Sequence, residues 1–280
     1  MHEKEKYKAP PATDLCGSAT VCFHRKYGAL ARSARLFVSA SLAVFLWLEP
    51  AQGAFHLWSV NEIYSSPDGS VQFIELSTAA NSENVLGGHV ISCTGPQGTH
   101  SFTFPTNLPS TATANKTFLI GTPNLASVPG GVTPNYVLTN AVPFLFLNGS
   151  STITVGIGGS LETPAAYTSL PNDGDSSLNG SGSSLVIATN SPKNFNDQSN
   201  KIVPVKFSSS KVVGTNFVMS FRTTTGVNGG AGTNYHVDFK NLLTDPTWTP
   251  LATVTGDGTT KSVSNAVSSA PQRVYRLRTP

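Results

Sequence analysis

From Trp58 onward the chain alternates. Trp58, Val60 and Glu62 fall on one side of an extended segment, with Leu57, Ser59 and Asn61 on the other. Past Pro67-Asp68-Gly69, Val71, Phe73 and Glu75 share one face, with Gln72, Ile74 and Leu76 on the opposite one. A period of two predicts strands. Between them, proline fixes one φ and glycine supplies the positive φ that a tight reversal needs. Similar short runs of β-branched and aromatic residues recur at His89–Cys93, His100–Phe104, Thr117–Ile120, Tyr136–Leu138, Phe144–Leu147, Thr152–Val155 and Ser184–Ile187. Between Ala54 and Pro204 no apolar spacing of 3.6 residues persists beyond about two turns, so the reading is all-β. The run Val142–Leu147 breaks the alternation, which fits either a strand covered on both faces or an exposed adhesive patch.

The stretch Leu36–Leu48 is uncharged and apolar, follows Arg32 and Arg35, and leads to Glu49-Pro50 and the small-x-small step Ala51-Gln52-Gly53. This is the pattern of a secretory signal peptide, with cleavage expected after Gly53. It falls short of the ~20 residues that span a bilayer; an uncleaved anchor is the other reading of the same run. The segment before Arg32 is long and polar for a signal, so a translation start downstream of the first methionine is expected. About 225 residues then remain, room for two small β-domains or one large one.

Removing the leader changes the charge argument. Seven of the 18 lysines and arginines and four of the 15 acids lie in residues 1–53, leaving equal numbers of each in the rest. The basic balance therefore gives no hint of nucleic acid. Two of the three cysteines, Cys16 and Cys22, go with the leader. Cys93 is left alone, read as a buried thiol on a strand or an intermolecular bridge. Charged residues are 12% of the chain against a typical ~25%, the composition of an extracellular β-protein with polar loops.

The order Asn61-Glu62-Ile63, then Asp68-Gly69, then Phe73-Ile74-Glu75-Leu76 resembles the opening of a lamin-tail domain, an immunoglobulin-like β-sandwich of nuclear lamins and many secreted bacterial proteins. The resemblance continues through Leu86-Gly87-Gly88-His89 and Phe102-Thr103-Phe104-Pro105. It covers about residues 55–125 by motif and 126–204 by architecture alone. It implies fold more than activity, and it implies mainly structural roles for Asn61, Glu62, Ile63, Phe73, Ile74, Glu75 and Leu76. From Val205 a second unit begins: Val212, Phe217, Met219 and Phe221, then Tyr235–Phe239, Trp248, Leu251–Val254, the turn Gly256-Asp257-Gly258, and an alternating end at Arg273–Arg278. It is similar to the small β-module closing many secreted proteins of Verrucomicrobia and Planctomycetes, and its shape is fibronectin-type-III-like by analogy. The expected organisation is a signal peptide at 1–53, a lamin-tail-like sandwich at 54–204 and a small β-sandwich at 205–280. Acids predominate in the first sandwich and bases in the second, which favours docking of one on the other or on partners of opposite sign.

Catalytic signatures are missing. There is no His-Glu-x-x-His, nucleophile elbow, Walker loop or cysteine pair at metal spacing. The glycine-rich Gly156–Gly159 has no helix pattern after it and reads as a turn. His56, His89, His100 and His236 are scattered, with no sign that they converge on Glu62 or Glu75. Asp173, Asp175 and Asn179 place hard oxygens in the loop Asn172–Asn179, which suits calcium or, equally, a tight turn. Trp58 and Trp248 are candidates for a glycan platform, and each also fits a sandwich core. The expectation is a secreted or cell-surface protein of a Gram-negative-type bacterium, without catalytic residues or an obligatory cofactor. Its partner would be an extracellular protein or polysaccharide, with neither nucleic acid nor stable membrane insertion after signal cleavage. The alternatives are a glycan-binding module and an accessory to a secreted hydrolase or phosphodiesterase.

Overall fold

The computed structural model describes residues 56–139, 143–156, 164–180, 184–267 and 272–280. The leader with Cys16 and Cys22 lies outside them, as do Val142, most of the glycine-rich 156–159 run and Glu162. The described residues are β-strands joined by turns, with two one-turn 3-10 segments. Among them no helix is long and apolar enough to cross a membrane.

Strand β1 (Ser59–Ser65) and strand β2 (Gln72–Thr78) form the expected antiparallel pair. Their turn closes through Gly69 N–H to Ser66 O at 2.9 Å, with Gly69 at φ 73°. Asp68 Oδ1 accepts from Ser66 Oγ, Ser70 N–H and Ser70 Oγ, so the turn is set by its own side chains. Strict alternation fails at one point. Register shifts between Val60 and Glu62, leaving Asn61 as the extra residue of a β-bulge. Trp58, Val60 and Ile63 therefore face the main core together, and Glu62 moves to the opposite face from Trp58 and Val60.

Around this pair lie β3 (Val90–Gly95), β4 (Gly98–Thr103), β5 (Lys116–Gly121), β6 (Tyr136–Val137), β7 (Asn148–Gly156), β8 (Ala165–Ser169), β9 (Ser176–Asn179) and β10 (Val186–Thr189). They make a six-stranded sheet in the order β10-β9-β1-β2-β5-β6 and a four-stranded sheet in the order β4-β3-β7-β8. Ile74, Leu76, Phe118 and Ile120 from the first sheet share a core with Ile91, Cys93, Phe102, Ile153 and Tyr167 from the second. The six-stranded sheet is buried on its other face too, where Tyr64, Phe73 and Leu119 pack under Leu125, Val132 and Ile202. Tyr64 and Phe73 stack there at 5.2 Å.

The segment Phe144–Leu147 is not a strand. It is an irregular stretch whose Phe144, Leu145 and Phe146 are buried. Gln72 supplies what a partner strand would: its Oε1 accepts from Phe144 N–H and Leu145 N–H, and its Nε2 donates to Leu145 O. Half of the expected Asn172–Asn179 loop is in fact β9, paired to β1 and β10.

Residues from Phe207 build a second sandwich: β11 (Phe207–Val213), β12 (Asn216–Arg222), β13 (Asn234–Lys240), β14 (Thr249–Thr255), β15 (Thr260–Ala266) and β16 (Val274–Arg278). Sheets β11-β12-β15 and β14-β13-β16 enclose Met219, Phe221, Tyr235, Val237 and Val263. This core shares no residue with the first. Between the sandwiches runs a dense polar seam. Asp175 pairs with Arg222, and Lys206 Nζ donates to Asp173 O. Asn200 Nδ2 donates to Thr225 O, and Ser199 N–H donates to Asn228 Oδ1. The opposed charges of the two halves thus meet at the seam. Gly130 admits the crossing segment: a Cβ there would lie 1.7 Å from Lys201 O.

Candidate functional site

On β1 and β2 the bulge brings Glu62 directly opposite Glu75, both essentially unexposed at 0% and 2%. Each carboxylate is filled by donors. Glu62 Oε1 accepts from Ser177 Oγ at 2.7 Å and Ser191 N–H at 2.8 Å, while its Oε2 accepts from Ser191 Oγ. Glu75 accepts from Asn61 Nδ2 at 2.7 Å and from Lys193 N–H at 2.6 Å. Burial pushes both carboxyls above the usual range. Glu75 is pushed up to about 7, burial being the main cause and the neighbouring Glu62 charge adding to it. A substrate has no route to either group. What the pair does is fasten β9 and the 190–193 segment across the sheet.

Trp58 is held the same way. Its ring is 1% exposed, sits edge-on to Phe118 at 4.7 Å, and donates from Nε1 to Glu83 O at 2.7 Å. No face of the indole is left for a sugar. The three oxygen residues proposed for calcium are not gathered into one ligand set. Asp173 Oδ1 accepts from Asp175 N–H and Ser176 N–H, Asp175 turns to Arg222, and Asn179 donates to Ser177 Oγ. The histidines stay apart: His100 Nδ1 lies 3.0 Å from Phe144 O, and His236 Nδ1 lies 3.0 Å from Thr253 Oγ1. Cys93 is buried and unpaired by disulfide, its Sγ 3.5 Å from Tyr167 Oη, and burial pushes the thiol up. Among the described residues no three His, Cys, Asp or Glu side chains cluster as metal ligands.

Trp248 has a different setting. It precedes β14 and is half-buried against the solvent side of sheet β14-β13-β16. Arg276 lies over its ring at 4.4 Å and Lys240 at 5.0 Å. Beside it Asp238 Oδ2 accepts from Arg276 Nε and Arg278 Nε, both at 2.9 Å. Burial works against the Asp238 charge, but the hydrogen bonds and charges of Arg278 and Arg276 outweigh it, and its carboxyl lies below the ordinary range. The face presents one aromatic ring among three cations and a single, already paired carboxylate. Sequence reasoning named both Trp248 and the alternating Arg273–Arg278 end but not their convergence on one face.

The chain matches no protein-family model and no curated protein.

Proposed function

We propose that this chain is a secreted, non-catalytic interaction protein whose binding surface is the outer face of the β14-β13-β16 sheet. The observation that carries the reading is Trp248, the candidate tryptophan that remains at the surface, flanked by Lys240 and Arg276. The first sandwich supports it from the other side: its candidate groups Trp58, Glu62 and Glu75 are committed to internal bonds. The lamin-tail resemblance of Asn61–Leu76 fits a scaffold of this kind. The bulged Glu62–Glu75 pairing fits the structural role that the resemblance implies. A face of this chemistry selects partners carrying acidic groups.

A second reading, a glycan-binding module, is favoured by the same ring, since an aromatic plane beside cations suits a polysaccharide bearing uronate or sulfate groups. The test is retention of the purified protein on immobilised acidic and neutral polysaccharides and on acidic protein surfaces, with Trp248→Ala and Arg276→Ala in parallel. Saturable, salt-sensitive retention that each variant weakens supports the face. Retention that neither variant changes overturns it.

A further inference from the structure

Nine large apolar side chains are exposed among the described residues, and five of them, Val212, Val213, Leu242, Leu243 and Val267, lie in the second sandwich, between 44% and 70% exposed. All five collect at its end far from the seam. Strand pairing places the seam residue Arg222 opposite Thr260, and Asn216 at the other end opposite Ala266. The three loops there are tied together. Val267 N–H donates to Thr215 O at 2.7 Å, joining the β11-β12 hairpin to the end of β15. Arg273 donates to Ala266 O and to Asn241 Oδ1, joining that end to the loop after β13. Leu242 and Leu243 sit in a turn closed by Leu242 N–H to Asp245 Oδ2 and Asp245 N–H to Leu242 O. The side chains are thus held outward by a fixed framework.

We propose that this end docks on an anionic lipid surface, its aliphatic side chains entering the interfacial layer while the cations around them meet the headgroups. Two features favour lipid over a protein partner. The exposed groups are valine and leucine, residue types scarce at protein hot spots, projecting from the end of strand β11, the turn after β13 and the end of β15. Lys211 directly precedes Val212 on β11, Lys240 ends β13 before the Leu242 turn and bonds Asp245 O, Arg273 is bonded to Asn241 and Ala266, and the one acid in those loops, Asp245, has a carboxylate oxygen taken by Leu242 N–H. Long basic side chains can lay their stems along apolar surface and keep their charge at the headgroups. Docking of this kind is peripheral and spans nothing. The apolar residues that carry the inference lie outside the Trp248 face, which shares only Lys240 with this end.

The experiment is co-sedimentation of the purified protein with vesicles of phosphatidylcholine alone and of phosphatidylcholine mixed with phosphatidylglycerol. The double variant Leu243→Ser, Val267→Ser is compared with a control, Val186→Ser, Ile187→Ser, which alters exposed apolar residues of the first sandwich. The expected result is salt-sensitive binding to the mixed vesicles, lowered about tenfold or more by the tip variant through lost apolar contact and unchanged in the control. Equal binding to both vesicle types, or equal binding by tip variant and control, overturns the proposal. So does a concentration-dependent dimer that the tip variant abolishes, which would make a second copy the occupant. Polysaccharide retention is read separately, so failure on vesicles leaves the Trp248 face standing.

Discussion

Glu62 and Glu75 oppose each other across β1 and β2, and the groups that hydrogen-bond them are hydroxyls, an amide and backbone N–H groups. Such an arrangement tolerates one charge better than two.

The first prediction is a stability that falls as the medium becomes alkaline. Glu75 has a folded-state pKa of about 7 against an ordinary 4.5. A raised carboxyl pKa contributes stability that is present below the unfolded value and lost as pH climbs through the folded one. Glu62 acts in the same direction. The loss attributable to Glu75 is about 3 kcal/mol between about pH 5 and about pH 8. Urea midpoints across that window should fall, and Glu75→Gln should flatten the fall. A midpoint that rises with pH would contradict the assignment.

The two candidate tryptophans, Trp58 and Trp248, separate cleanly. Trp58→Ala should cost about 3–5 kcal/mol of stability through lost packing, and Trp58→Phe about 1 kcal/mol more than packing alone through the lost bond to Glu83 O. Trp248→Ala should cost under about 1 kcal/mol, the scale of exposed cation-ring contacts. Chemical denaturation of the three variants reads this directly.

Gly130 has φ 80° and faces Lys201 O at a distance no Cβ can occupy. Gly130→Ala must displace the backbone of the crossing segment. A cost above about 2 kcal/mol is expected, more than the left-handed conformation alone would give. A thermal melt within a degree or so of the parent would show that the segment yields freely.

At the seam, Arg222→Ala leaves Asp175 without its ion-pair partner. Because the pair is partly exposed, with 38% and 18% of the two side chains accessible, the direct cost is about 1 kcal/mol. The more telling readout is cooperativity. Combined with Thr224→Val, which removes the hydroxyl bonds to Asn200 and Lys201, it should split one calorimetric transition into two. A single sharp transition in the double variant would mean that other contacts couple the sandwiches.

Legibility in the sequence followed apolar content. The β1-β2 hairpin was readable because Pro67-Asp68-Gly69 and its flanking alternation are local signals. Strand β15 was missed because Val263 is the one large apolar side chain in Thr260–Ala266. Strand β9 was missed because Ser176–Asn179 has the composition of a turn, and its pairing with β1 is set more than a hundred residues away. The bulge at Asn61 left no periodic trace, so alternation put Glu62 on the wrong face and hid its meeting with Glu75. Phe144–Leu147 misled for the opposite reason: hydrophobicity signals burial, and here a glutamine side chain made burial feasible without a strand.

The fastening of Ser191 to Glu62, 129 positions apart, bears on the order in which the molecule can be assembled. A ribosome delivers the first hairpin with two facing carboxylates and only the Asn61 amide to satisfy one of them. Their other donors emerge late, Ser177 with β9 and Ser191 and Lys193 only as the first sandwich is completed. Until then the hairpin's second face is unfinished, and a fragment ending before Ser191 keeps that defect permanently. The segment connecting the two sandwiches is therefore the last piece of the first one, and a cut made there for convenience removes its closure.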